Sequence, residues 1–313
     1  MSSSAAEIDV LLATWNGERF IEEQLESLFR QTFQGFRLIV RDDASTDSTL
    51  DVVERYRSRF PGRVVVHVNP CRRGPCGTFS LLAEESDAPY VAFCDQDDIW
   101  CDDKLEISVA TVKSIEAAHT VHTPVLVFSD LTLIGNNNQT LAPSMWKMMR
   151  VNPRRANLGS LLVQNLVSGC TVLANRSLLR RAMPIPEGAV MHDFWFGLVA
   201  ASFGVLYPLC EATVRYRQHQ SNAIGAGGSR STADALKRIS GDQRFKYGID
   251  ASRQQSQVFA SRYANQLTAQ QKATLQAWCD SQGLPAGVRQ WTLYRHGLRR
   301  TSLLNNLVFL ARV

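Results

Sequence analysis

Short apolar runs alternate with longer amphipathic stretches along the first part of this chain, up to His119. Ile8–Ala13 (IDVLLA), Phe36–Val40 and Val64–Val68 read as strands, each closed by polar or glycine-bearing residues. Between the first two, Glu18–Gln31 places Ile21, Leu25, Leu28 and Phe29 at helical spacing, with acids in the first turn. Thr46, Asp47 and Ser48 offer caps for a second helix that runs to about Phe60. Thr78–Glu85 predicts a third helix, Tyr90–Cys94 a buried strand, and Asp102–His119 a long helix. Strand–helix alternation of this kind predicts a Rossmann-like parallel sheet with helices on both faces.

The second half is less regular. Pro124–Leu133 predicts another strand, Leu158–Gln164 a helix, Gly169–Ala174 a strand and Arg176–Ala182 a short basic helix. Met191–Trp195 opens an apolar helix, and Val205–Tyr216, interrupted by Pro208 and Glu211, reads as one strand or a pair. Met145, Trp146, Met148 and Met149 read as local packing. From Ala233 onward the chain is polar and helical in character.

Candidate chemistry centres on Pro89–Trp100, PYVAFCDQDDIW, where an apolar run ends in Asp95, Asp97 and Asp98. In an extended chain residues two apart share a face, so Asp95 and Asp97 are expected to converge while Asp98 points away. Two converging carboxylates are costly unless a cation or a proton holds them. The carboxyl edge of an open α/β sheet is also where ligands bind. A divalent-metal site and a solvated acidic turn capping the next helix both fit these residues. Thr14–Gly17 and Asp42-Asp43 close two other strands on the same expected edge. Backbone N–H groups near Asn16 and Gly17 can face phosphate, and Asp42 or Asp43 can accept from a base or a ribose hydroxyl. Gly-x-Gly-x-x-Gly and Walker A sequences are absent.

A net charge of +5 suits anionic substrates or surfaces without selecting one. Seven cysteines with no Cys-x-x-Cys pair point to a reducing cytoplasmic setting. MSSSAAEID lacks a signal-peptide pattern. The longest uncharged stretch, Phe194–Cys210, is broken by Gly197, Gly204 and Pro208, so no membrane span is expected.

The ordered set TWNGE, LIVRDDASTD, NPCRRGPCG and YVAFCDQDDIW…DKLE resembles family 2 glycosyltransferases of the GT-A fold. The spelling Asp-Gln-Asp-Asp-Ile-Trp is most similar to the bacterial rhamnosyltransferase-type branch. The resemblance spans Ile8 to Gly225. It implies a GT-A (Rossmann-like) mixed, mainly parallel sheet. Residues 1–230 would be catalytic, with a nucleotide-sugar half to about 134 and an acceptor half from about 135, followed by a helical, basic extension over 231–313.

By the same resemblance, a nucleotide-diphospho-sugar donor lies against Thr14, Trp15, Asn16, Glu18, Asp42, Asp43 and Gln96, with Arg73 and Gly74 close by. Asp97 holds Mg²⁺ or Mn²⁺ on the diphosphate. Asp95 serves either the metal or the ribose, and His219, in Arg-x-His-x-x-Asn, completes the metal site or touches the diphosphate. Asp193 is implied as the general base that deprotonates a glycan or lipid-linked sugar acceptor, with Trp100, His192 and Trp195 beside that acceptor. Gly225, Gly227 and Gly228 suit a loop that orders over donor. Nucleic acid is not an implied partner. The processive Gln-x-x-Arg-Trp signature is absent. Three other classes compete: a sugar-nucleotidyltransferase, which normally carries a Gly-rich basic loop after its first strand; a non-catalytic nucleotide-sugar-binding protein; and a scaffold whose acidic turns are only caps.

The last segment, Gly283–Val313, contains five arginines and no acid, interleaved with Trp291, Tyr294 and several leucines. Such a segment can lie on an anionic membrane surface or pack as a helix pair on the catalytic domain.

Overall fold

The computed structural model describes residues 6–219 and 242–313. The glycine-rich run expected to close over donor, residues 225–231, lies outside the described residues. The described strands form a nine-stranded mixed sheet. β1 (Ile8–Thr14), β2 (Phe36–Asp42), β3 (Val64–Val68) and β4 (Tyr90–Cys94) are mutually parallel, in the spatial order β3-β2-β1-β4. The sheet then passes to β8 (Leu173–Asn175), β6 (Val125–Ile134), β9 (Val205–Arg217) and β5 (Ile99–Trp100), while β7 (Thr140–Ala142) pairs with β6. β8 is antiparallel to both β4 and β6, and β6 runs parallel to β9. The GT-A expectation of a mixed sheet flanked by helices, with a helical C-terminal extension, is borne out.

Period-two alternation explains how one sheet serves two cores. Leu11, Ile39 and Phe93 face one side and pack with α3 (Gly74–Glu85), α6 (Leu158–Val163), α7 (Arg176–Ala182) and α8 (His192–Phe203). Val10, Leu12, Leu38, Val40, Ala92 and Cys94 face the other, against α1 (Ile21–Phe29), α2 (Thr49–Arg59) and α4 (Lys104–Ala118). α5 (Met145–Met148) buries Trp146 edge-on against Phe128, as expected of packing residues.

The carboxyl-terminal helices are α9 (Asp242–Arg262), α10 (Ala269–Asp280), α11 (Ala286–Arg295) and α12 (Leu303–Arg312). Phe259, Tyr263, Trp278, Leu293, Leu298 and Phe309 join the core that holds α6 and α8. The extension is therefore seated on the sheet's second layer through its apolar side chains.

Three local differences from the sequence expectation bear on the site. Ile99 and Trp100 do not simply turn; they form a short strand antiparallel to β9, with Ile99 opposite Arg215. Val205–Arg217 is one long strand, and its register against β6 shifts around Ser129 and Asp130. Gly169–Thr171 is a tight 3-10 turn, and only Leu173–Asn175 pairs as a strand. No helix among the described residues is long and apolar enough to cross a membrane.

Candidate functional site

Parallel register places the strand ends together. Thr14 is opposite Asp42, Asp42 is opposite Val68, and Leu12 is opposite Cys94. The loops that follow β1, β2, β3 and β4 therefore open on one edge of the sheet, where ligands of α/β folds bind.

The first three of these loops are clasped by side chains. Thr14 Oγ1 donates to Asp42 Oδ2 at 2.8 Å, and the Ser45 hydroxyl donates to the same oxygen at 2.6 Å. Ser45 Oγ accepts from the Asn16 N–H, and Asn16 Oδ1 accepts from the Thr46 N–H. The Glu18 carboxylate receives the Ser48 N–H at 3.0 Å, while its own N–H donates to Asp47. Asn16 and Ala44 sit at φ of 45° and 63°, a conformation costly for residues with a Cβ and tolerated here by these bonds.

Asp43 anchors the third loop, accepting from the N–H groups of Arg73 at 2.7 Å and Gly74 at 2.8 Å and from the Asn69 amide. Burial alone would push its carboxyl up, but these donors prevail and hold it below the usual carboxylate range. Asp42 and Asp43 are both buried, so each shapes the loops with its oxygens. The surface left on the clasp is Trp15, whose ring carries the Arg72 guanidinium at 3.4 Å from its centroid. Gln96 ties this surface to the acidic turn: Gln96 Oε1 accepts from the Trp15 N–H at 2.8 Å, and Gln96 Nε2 donates to the Trp15 carbonyl at 2.9 Å.

The acidic turn itself differs from simple alternation. Asp98 turns inward, and Asp95, Asp98 and Cys170 bring their ligand atoms within 4.8 Å of one another, a candidate metal-coordinating cluster. This corrects the expectation that Asp98 points away; the Ile99–Trp100 strand rotates it toward β9, where its Oδ1 accepts the Arg217 N–H at 3.1 Å. Asp97 instead meets His219, Oδ2 to Nε2 at 2.6 Å. Burial, then Asp97 and Asp193, push the Asp95 carboxyl up to about 7; burial with Asp97 and Asp95 raises Asp98 well above its ordinary value.

Concentrated like charge of this sort fits a divalent cation. Asp95 and Asp98 offer the hard oxygen donors that Mg²⁺ and Mn²⁺ take, and the Asp97–His219 pair lies in the same turn region. Cys170, kept a neutral thiol by burial, is a poor ligand for either ion.

Arg217 was not singled out by sequence reasoning, although it spells the first position of the Arg-x-His motif. It is fully buried over the Phe20 ring, and its Nε donates to the Asp97 carbonyl at 2.9 Å. Its other arms reach Glu23 and Asn138. The fork thus fixes the backbone of Asp97, while the Arg217 backbone N–H holds the Asp98 carboxylate.

Asp193 stands in the first turn of α8. Its Oδ2 accepts the Gly169 N–H at 3.0 Å, and its Oδ1 accepts the Phe194 N–H at 2.6 Å and the Asn165 amide at 3.3 Å. Burial outweighs these donors and pushes its carboxyl up to about 6. Neither Asn165 nor Gly169 gave a sequence signal. They flank a segment whose turn is visible only once folded.

The three residues expected beside an acceptor are corrected. Trp100 is buried under the α1 side of the sheet, its backbone N–H donating to Ser27 Oγ and its ring beneath the Lys104 ammonium at 3.9 Å. Trp195 is buried against Phe259, with Nε1 donating to the Ala182 carbonyl. His192 is wedged between Phe79 and Phe93, and burial pushes its imidazole down to about 3. All three lie on the inward faces of their elements, which the spelling of a motif does not reveal.

A mixed α/β sheet whose strand-end loops gather carboxylates, with a carboxylate at a helix start facing them, defines a GT-A-like glycosyltransferase. The chain belongs to that enzyme class by descent as well: the model of glycosyl transferase family 2 matches residues 9–181, more than half of the chain.

Among its relatives, the dTDP-rhamnosyl transferase RfbG of Shigella flexneri is 26% identical over 227 residues, covering 69% of this chain and 74% of that protein. The UDP-Glc:alpha-D-GlcNAc-diphosphoundecaprenol beta-1,3-glucosyltransferase WfgD of Escherichia coli is 25% identical over 55% of this chain and 61% of its own. The fold is similar to Staphylococcus aureus TarS 1-349 in complex with UDP-GlcNAc, with a TM-score of 0.57 at 18% identity over 97% of this chain and 90% of that one. It is likewise similar to mannosyltransferase PcManGT from Pyrobaculum calidifontis in complex with GDP-Man and Mn²⁺, with a TM-score of 0.56 at 17% identity, over 94% of this chain and 74% of that one.

Proposed function

We propose that the protein is a metal-dependent, inverting glycosyltransferase that moves L-rhamnose from dTDP-L-rhamnose onto a hydroxyl of a glycan or lipid-linked saccharide. The observation that carries this reading is the gathering of Asp95, Asp98 and the Asp97–His219 pair in the turn after β4, with the Asp193 charge among those that raise the Asp95 carboxyl. The donor's base and ribose lie on the clasp formed by Thr14, Asn16, Asp42 and Asp43, with Trp15 as a stacking face and Arg73 and Gly74 toward the sugar. Asp97 and His219, with Asp95, would hold a divalent cation, whose positive charge would stabilise the diphosphate as it leaves.

Asp193 accepts the acceptor's hydroxyl proton while that oxygen bonds to the anomeric carbon and the carbon–diphosphate bond breaks on the opposite face. One carboxylate acting once gives inversion. A carboxyl poised near 6 is ionised at neutral pH yet basic enough to take that proton. RfbG supports rhamnose as the sugar; the UDP- and GDP-sugar complexes of the similar folds make those donors the controls.

Calorimetry with dTDP-rhamnose, UDP-glucose, UDP-galactose and GDP-mannose, with and without Mn²⁺, tests the proposal on wild type and Asp97→Ala. Manganese-dependent binding of dTDP-rhamnose, lost in Asp97→Ala, is expected. Preference for a UDP or GDP donor overturns the rhamnose assignment, and absence of any donor binding overturns the donor site itself.

A further inference from the structure

The C-terminal helices carry a surface that the transfer reaction does not use. α12 packs Phe309 into the core near Trp278, with ring centroids 6.2 Å apart. On its outer face Leu303 is 82% exposed, Leu307 67%, and Leu304 and Val308 about half. These four positions, spaced i, i+1, i+4 and i+5, form one apolar stripe.

At the N-terminal end of the stripe lies a cavity of about 550 Å³, lined by Arg155, Arg299, Arg300, Tyr294, Ser302 and Asn306 among others, with no acidic residue in its lining. Leu303 lines the same cavity, so the basic hollow and the apolar stripe adjoin. Arg155 and Arg299 are exposed, and Tyr294 stacks with an equally exposed Trp291, with centroids 6.3 Å apart. Across residues 281–313 there are five arginines and no acid.

We propose that this surface docks the enzyme on an anionic phospholipid bilayer. A headgroup phosphate enters the Arg155–Arg299–Arg300 cavity, while Leu303, Leu304, Leu307 and Val308 enter the acyl boundary. Each half argues for the other. An apolar stripe alone would fit a second protein copy, and a basic cavity alone would fit a free anion. A phosphate held immediately beside aliphatic chains is the chemistry of a phospholipid surface. Interfacial aromatics such as Trp291 and Tyr294 belong at the headgroup level. The inner face of α12 remains packed on the domain, so docking needs no unfolding.

Full-length protein is sedimented with phosphatidylcholine vesicles and with vesicles containing about one-third phosphatidylglycerol, since anionic lipid is the variable that matters. Wild type is expected to bind the anionic vesicles at least about tenfold more tightly. Leu303→Ser/Leu307→Ser is expected to lose that binding, and Arg155→Ala/Arg299→Ala to lose the preference for anionic lipid. All four side chains are exposed, and circular dichroism confirms that each variant is folded. Equal binding to both vesicle types, or none, overturns the proposal. So does a concentration-dependent dimer in wild type that Leu303→Ser/Leu307→Ser abolishes, which would assign the stripe to a second copy. Inorganic phosphate binding, lost in the arginine variant, without vesicle binding overturns it in favour of a free-anion site. Vesicle binding requires no donor, so failure here leaves the donor-site reading intact, and the converse holds.

Discussion

The His219 imidazole meets the Asp97 carboxylate at 2.6 Å, although 122 positions separate the two residues. They come together because Ile99–Trp100 pairs with β9, which delivers Arg217 and His219 to the acidic turn. Arg217 lies two positions before His219, and its guanidinium fastens the Asp97 carbonyl, Asn138 and Glu23 at once.

Replacing that fork has a definite expected cost. Arg217→Met removes hydrogen bonds from a charged donor, each worth about 1.5–3 kcal/mol, and is expected to lower stability by about 2–3 kcal/mol in denaturant titrations. Metal-dependent donor affinity falls with it, because the Asp97 backbone is no longer fixed. Arg217→Lys does not restore the affinity, since an ammonium cannot span three acceptors in a plane. Full donor affinity in either variant would remove Arg217 from the site's architecture.

Metal binding is expected to register in thermal stability without any substrate. A ligand at about a hundredfold over its Kd adds about 2.7 kcal/mol to the folded state. Mn²⁺ should raise the melting temperature of wild type, and a chelator should reverse the rise. Asp97→Ala and His219→Ala should each blunt it. An equal rise in both variants would place the ion elsewhere.

As the proposed base, Asp193 is expected to govern the rate and its pH profile. Asp193→Asn is expected to lower kcat by about 10²–10⁴ while leaving the donor Kd unchanged. Burial raises this carboxyl above its ordinary 3.8 to about 6, so the folded protein binds its proton there as pH falls. The base is lost below that value, and kcat in wild type should fall tenfold per pH unit below about 6. By the same linkage, burial of the ionised group opposes folding as pH rises through about 6. An acid limb near 4 would mean that another group, or no base, limits the rate.

Gly169 has no room for a side chain. A Cβ there would lie 2.7 Å from His192 Nε2, and His192 is held by rings at 4.0 and 4.8 Å. Gly169→Ala is expected to cost about 1–3 kcal/mol by overpacking. It also displaces the N–H that orients Asp193, so kcat should fall even at temperatures where the variant is folded. Unchanged kcat with reduced stability would confine Gly169 to packing.

The first half of this site was legible because its signals are local. Thr14 and Asp42 each end a strand that hydrophobic patterning marks clearly, Asp95–Asp97 follow directly on a third, and parallel register brings strand ends to one edge. Asp193 could be placed only through resemblance, since a carboxylate in a first turn is most often a cap. Illegible from sequence were the features set by non-local pairing. Asp98 turns inward because a two-residue strand finds a partner more than a hundred residues later, between Trp100 and Val214. Cys170 and Gly169 reach the site through a 3-10 turn, not the strand that their apolar neighbours suggest. Trp100, His192 and Trp195 sit in motif-bearing segments yet point inward, because each large ring is needed to fill a core layer.

The division between buried and exposed residues in the proposed donor cradle has an evolutionary consequence. Asp42 and Asp43 spend their oxygens on backbone and side-chain ties, whereas Trp15 and Arg72 stand outside, stacked on one another and bound to nothing deeper than the turn at Gln96. The shape of the cradle is thus inherited separately from its chemical taste. On the proposed donor site, exchange of this outer pair would alter the face offered to the base while the inner ties keep the loops in register, so one frame could serve different nucleotide sugars.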